Sequence, residues 1–287
     1  MKIYLNTPEI PELMTELDNH PSKTVENIEW VNDTSQADIR IYDHSLWRDA
    51  KGLETDILVS GMNDEFNILK LLAEKPCYNL IGKNDNYVRE INQVIRTVKD
   101  KNNWNSSLFF GEYINSYNFS FNSSCEVKKE LNNILDNINY EKNFKSSVDI
   151  VRLLSNELLM NAFYHNKSAT ADRTSNVLLE KPVIFELGLN NQGILIKVTD
   201  TNGGIQFEKL LDSLIRGFKE KTPRKKEGES AGGAGLGLYF IFKMANQTIL
   251  NVTKDKGTEI ICVVDANKRY KEYMARVSSL LFFRSIK

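Results

Sequence analysis

The chain has 287 residues, 41% apolar and 10% aromatic, which is hydrophobic material for about two packed cores and excludes a wholly disordered chain. Its 37 basic and 38 acidic residues leave a formal charge of −1, so no field of the size that non-specific nucleic-acid binding needs acts over the surface. Cys77, Cys125 and Cys262 are odd in number and far apart, which excludes a disulfide framework and a Cys-x-x-Cys metal pair and fits a reducing compartment. No uncharged apolar run reaches about 18 residues. The start, with Pro8 and Pro11 among acids, is unlike a signal peptide, so a soluble cytoplasmic protein with neither nucleic acid nor membrane as partner is expected.

Short β-type runs alternate with helix-type stretches through the first hundred residues, which is the order of an α/β fold with a parallel sheet flanked by helices. Strands are expected at Lys2–Asn6, Asn27–Asn32, Asp38–Asp43, Asp56–Gly61 and Tyr78–Gly82, and helices at Pro11–Asn19, Asp64–Lys75 and Asp85–Lys101. In the last of these, Ile91, Val94, Ile95 and Val98 recur three and four apart and make the clearest amphipathic face. Periodicity is lost from Lys99 to Ser107 among Asn, Lys and Ser. We take 1–104 as a first domain and 105–115 as a linker.

Beyond it, a strand at Tyr117–Phe121 and helices at about Cys125–Asn139 and Ser147–Tyr164 lead into strand-rich runs at 183–191, 193–200, 247–253 and 258–265. A helical Leu236–Met244 interrupts them, so 116–265 reads as a second domain of α+β order. Tyr270, Tyr273, Met274, Val277, Leu280 and Leu281 then recur three and four apart, predicting an amphipathic helix over 266–287 that packs on the domains or across a homodimer.

Three segments of the second half carry chemistry. Glu157 and Asn161, four apart, share one helix face. A carboxylate able to take a proton thus stands one turn from an amide oxygen able to bind a hard cation, although such a pair also suits an ordinary solvated face. Asp200 ends a strand and passes into Asn202, Gly203 and Gly204. A buried carboxylate there can accept a hydrogen bond from an exocyclic amine, and glycines let backbone approach a flat ring; an ordinary turn is the alternative. Gly232, Gly233, Gly235 and Gly237 fill four of six positions before an apolar helix. Their N–H groups and the helix start can cradle phosphate oxygens. No Lys-Ser or Lys-Thr follows, which excludes a Walker A loop, and no strand immediately precedes, which excludes a Rossmann fingerprint.

With Gly257-Thr258 after them, these segments, in this order, resemble the GHKL superfamily of ATPases, which includes histidine kinases, gyrase-type ATPases and the anti-sigma-factor serine kinases. The likeness covers roughly 116–265. It implies a layered α/β sandwich, the Bergerat fold, holding ATP and Mg²⁺. Asn161 would ligate the metal, Asp200 and Thr258 face adenine, Gly204 and Ile205 line the ring face, and Gly233, Gly235, Leu236 and Gly237 hold the phosphates. Asn202 stands where the family's first glycine box has its first glycine; after glycine, Asn tolerates left-handed backbone best. Glu157 and the run Asn161-Ala-x-x-His165 are similar to the anti-sigma kinases, which makes Glu157 the expected catalytic base. None of His20, His44 and His165 lies on a helical hairpin before this domain, so an orthodox autophosphorylating histidine kinase is not expected. The resemblance implies a kinase acting on Ser/Thr of a regulatory protein partner, anti-anti-sigma-like or of two-component type, with a non-catalytic ATP-dependent switch or transfer to a His/Asp partner as alternatives. Gln206–Ser230, basic at Lys219, Lys221, Arg224, Lys225 and Lys226, is expected to be the ATP lid or a solvated loop.

The first domain resembles a response-regulator receiver, because Asp43, Ser60 and Lys83 close its third, fourth and fifth β-runs where that family has its phosphoacceptor, switch hydroxyl and lysine. Asn6-Thr7 replace the acid pair that would hold Mg²⁺ and neutralise charge in phosphoryl transfer. The expectation is a degenerate receiver used for docking or dimerising, with phosphorylation of Asp43 and an unrelated α/β domain as alternatives.

Overall fold

The computed structural model describes residues 1–6, 10–19, 28–61, 65–100, 104–138, 144, 147–165, 176–191, 193–220, 236–254, 256–265 and 277–285. In its first half the apolar runs become β1 (Lys2–Asn6), β2 (Glu29–Val31), β3 (Ile39–Asp43), β4 (Asp56–Ser60) and β5 (Asn79–Gly82), with helices α1 (Ile10–Asn19), α2 (Glu65–Glu74) and α3 (Tyr87–Lys99). All five pair in parallel in the order β2-β1-β3-β4-β5, a doubly wound order that needs crossovers on both faces. β4 is buried along its whole length and β3 at every residue but the last, as central parallel strands are. On α3, Ile91, Val94 and Ile95 are fully buried against the sheet.

The second half contains β6 (Asn115–Ser123), α4 (Ser124–Asp136), α5 (Val148–His165), β7 (Leu178–Leu189), β8 (Gly193–Asp200), α6 (Phe207–Glu220), α7 (Leu236–Met244), β9 (Gln247–Thr253) and β10 (Gly257–Asp265). Its strands run antiparallel in the order β6-β7-β8-β10-β9. α4 begins at a capping box in which Ser123 and Glu126 exchange side-chain to backbone hydrogen bonds.

The last element corrects the sequence reading. Residues 279–285, expected within an amphipathic helix over 266–287, form a strand, β11 (Ser279–Ser285). It pairs parallel with β9 and antiparallel with β5, so both halves belong to one mixed sheet of eleven strands. The reason lies in Leu280, Leu281, Phe282 and Phe283. A strand buried on both faces reads as an unbroken apolar run, which periodicity cannot separate from a helix. Leu280 and Phe282 enter the core on one face of the sheet and Leu281 the core on the other. Tyr270, Tyr273 and Met274 lie outside the described residues.

Two further corrections concern connections. The expected linker is packed structure: Phe109 and Phe110 are buried, Trp104 Nε1 donates to Glu259 at 2.6 Å and the Tyr113 hydroxyl donates to Glu186 at 2.8 Å. These contacts cover one face of β7, β8 and β10, and the same face continues under α1 and α3. The opposite face carries α2, α4, α5, α6 and α7. The first fourteen residues of the expected lid are the helix α6, whose Leu210, Leu211 and Leu214 are buried. That periodicity was present in the sequence and was outweighed by the basic run that follows. Residues 221–235 lie outside the described ones. Among the described residues no helix is long and apolar enough to cross a membrane.

Candidate functional site

β8 and β10 lie side by side, and their register sets Thr258 opposite Asp200 at one end of the pair. Side chains alternate along a strand, so Asp200 and Thr258 share the sheet face that buries Val198 and Ile260 under the helices. Asp200 is 7% exposed and Thr258 2%. The Asp200 carboxylate accepts the Asn202 N–H at 2.7 Å. Burial raises its pKa above the ordinary carboxylate value, against backbone hydrogen bonds from Asn202, Thr258 and Gly203 that favour the charged form. Thr258 Oγ1 is buried and has no hydrogen-bond partner among the described residues. A buried hydroxyl in that state costs about 1–3 kcal/mol unless a ligand or water satisfies it.

The turn after Asp200 keeps its backbone bare. Gly203 takes φ +62°, a conformation that favours glycine. Gly204 is exposed and Ile205 half-buried. A Cβ at Gly204 would stand 3.2 Å from Oδ1 of Asn202, so the Asn202 side chain borders the ring face that the sequence assigns to Gly204. Across the strands, a Cβ at Gly257 would collide with the carbonyl oxygen of Asp200, which fixes glycine where β10 begins.

α5 and α7 pack on this same face, α5 against β7, β8 and β10 and α7 against α5 and β9. Asn161 is 3% exposed and Glu157 half-buried. Gly237, in the first turn of α7, is where these two meet the glycine segment: a Cβ there would collide with Oε2 of Glu157 and lie 3.5 Å from Nδ2 of Asn161. Leu236 opens α7. Gly233 and Gly235 lie outside the described residues, as do the side chains of Leu236 and His165. The described structure thus brings together Glu157, Asn161 and Gly237 as one group and Asp200, Gly204 and Thr258 as another, under the same helices. Among the described residues no three His, Cys, Asp or Glu side chains gather as a metal cluster.

In the first half, Asp43, Ser60 and Lys83 stand at the ends of β3, β4 and β5, and the Lys83 N–H donates to Ser60 O at 2.8 Å. The Asp43 carboxylate accepts the Ser45 N–H at 2.9 Å and its hydroxyl at 2.7 Å, capping the 3₁₀ turn His44–Asp49. Thr7 lies outside the described residues.

One cavity was missed by sequence reasoning. It holds about 340 Å³ and lies where α3 meets the opposite ends of β8, β9 and β10. No spacing signal could have found it, because its walls come from segments far apart in the chain.

The fold is α/β with a mixed sheet. No protein-family model matches the chain, and no curated protein matches it.

Proposed function

We propose that residues 116–265 bind Mg-ATP and that the protein phosphorylates serine or threonine on a regulatory protein partner. The observation that carries this reading is the unsatisfied Thr258 hydroxyl, buried opposite the Asp200 carboxylate on the sheet face under α5 and α7. A polar pair so placed suits one small ligand edge with a donor for the carboxylate. Adenine's exocyclic amine is such a donor, whereas guanine presents a carbonyl oxygen there and leaves two acceptors opposed.

Asn161 would hold the cation through its amide oxygen, with phosphate oxygens as the remaining hard ligands. The α7 start at Leu236-Gly237 would point backbone N–H groups at phosphate, with Gly233 and Gly235 before it. When bound, ATP supplies the phosphoryl group. Glu157, held against Gly237, takes the proton from the partner's hydroxyl as that oxygen attacks. The reading places the protein in the cytoplasm, where the buried thiols of Cys77 and Cys262 stay reduced.

Calorimetry with Mg-ATP and Mg-GTP tests it. ATP should bind and GTP should compete poorly; equal binding of both, or of neither, would overturn the proposal.

A further inference from the structure

The cavity beside α3 is the second candidate site, and it shares no residue with the nucleotide group. β10 separates the two, since Thr258 stands at its start and Asp265 at its end, about 26 Å apart by strand rise. The cavity's volume of about 340 Å³ is within the range of small-molecule sites.

Its floor is a buried polar seam between the halves. Glu90, Gln93 and Gln247 are each 5% exposed or less. Gln247 Nε2 donates to Gln93 Oε1 at 3.3 Å and Gln93 Nε2 to Leu108 O at 3.0 Å. The Ser279 hydroxyl donates to Glu90, and Asn84 donates to the other Glu90 oxygen at 3.4 Å. These bonds commit Glu90 to the wall. Nearer the mouth stand Arg89, half-buried, Asp85, exposed, and Asp265, half-buried. Arg89 is steadied by donating to the Phe110 carbonyl at 3.3 Å.

A planar guanidinium fixed opposite carboxylates, with amide walls between them, matches a ligand that carries both signs of charge. The surplus of carboxylate disfavours phosphates and other anions. We infer that this seam cavity binds a small zwitterion of the amino-acid class, its carboxylate on Arg89 and its ammonium toward Asp85 and Asp265. Because α3 belongs to the first half and β8, β9 and β10 to the second, such a ligand touches both halves and stabilises their junction by mass action.

The test uses the full-length chain without nucleotide, so its outcome is independent of the ATP reading. Thermal melts and calorimetry are run with the free amino acids, with putrescine as an amine lacking a carboxylate, and with acetate as a carboxylate lacking an amine. At least one amino acid should raise Tm saturably, and putrescine and acetate should each bind about tenfold more weakly or worse, the usual loss when one charged hydrogen bond is removed. Arg89→Gln and Asp265→Asn, both outside the core, should abolish the shift while their ligand-free melts stay cooperative. If either variant fails to fold, the wild-type comparison of amino acid, amine and acid still decides. No shift with any amino acid, an equal shift in the variants, or binding of acetate or putrescine as tight as that of the amino acid would overturn the inference.

Discussion

Two aspartates end strands on the two halves of one sheet and meet different fates. Asp43 closes β3 and its carboxylate is taken at once by Ser45, two residues on, as the cap of a 3₁₀ turn. Asp200 closes β8, accepts the Asn202 N–H, and then faces Thr258 across the register. The first has found a local partner through sequence neighbours. The second is buried beside a hydroxyl whose need no described residue meets. A carboxylate at a strand end is therefore not by itself a site; what makes one is a pocket of unmet polar demand, which depends on the strand next door.

β11 holds the compared halves together, and the largest expected effect breaks that junction. Phe282 is 3% exposed and packs its ring 5.3 Å from Phe207 and 6.1 Å from Tyr78, one in each half. Phe282→Ala should cost about 3–5 kcal/mol, read as a lower midpoint in denaturant. The two halves should still melt in one transition; two separate transitions would show that β11 does not couple them.

Chemistry at the Asp200 end is next in size. Under the proposed function, Glu157→Ala should lower phosphoryl transfer about 10²- to 10⁴-fold with nucleotide binding kept, since Glu157 touches Gly237 rather than the strand-end pair. Unchanged turnover would move the base to another residue. Undetectable wild-type turnover, with binding of a partner that follows ATP, would favour the switch alternative.

Asp200→Asn sharpens the comparison through pH. Burial raises the Asp200 pKa, so the folded chain holds that proton more tightly than the unfolded chain. The stability this contributes is complete below the unfolded carboxylate value of about 3.9 and is lost as pH rises through the folded pKa. The Asn variant removes that decline. It should gain stability relative to wild type on going from acid to neutral pH while ATP affinity falls about 10- to 100-fold, the share of a hydrogen bond to a charged group. Parallel stability curves for the two proteins across that pH range would show Asp200 to be charged and satisfied without ligand.

Much of this arrangement was legible in the chain, and the failures have physical causes. β1, β8, β9 and α7 begin and end where alternation and periodicity place them, because one face of each meets a core. The nearness of Glu157 to Asn161 followed from helical spacing alone. What spacing could not give is register: the pairing of Thr258 with Asp200 depends on how β10 lies on β8, a relation between residues fifty-eight positions apart. β11 was misread because burial on both faces erases the period that identifies a strand. Trp104 and Tyr113 looked like linker because polar neighbours masked aromatics whose partners, Glu259 and Glu186, lie far along the chain.

The smallest effect belongs to Asp43. Its two hydrogen bonds to Ser45 end a strand and start a turn, so Asp43→Ala should cost about 1 kcal/mol, the usual worth of a capping side chain, and leave ATP binding unchanged. Acetyl phosphate with Mg²⁺ should leave the wild-type residue unmodified, for two reasons that act together. The carboxylate oxygen facing Ser45 is already engaged at 2.7 and 2.9 Å, and Asn6, which ends β1, brings no negative charge to hold the metal that phosphoryl transfer to a carboxylate needs. Intact-mass measurement after incubation reads this directly. Stoichiometric gain of one phosphoryl group on the wild type, absent from Asp43→Ala, would mean that the cap opens and that the two strand-end aspartates are both working sites, one in each half of the sheet.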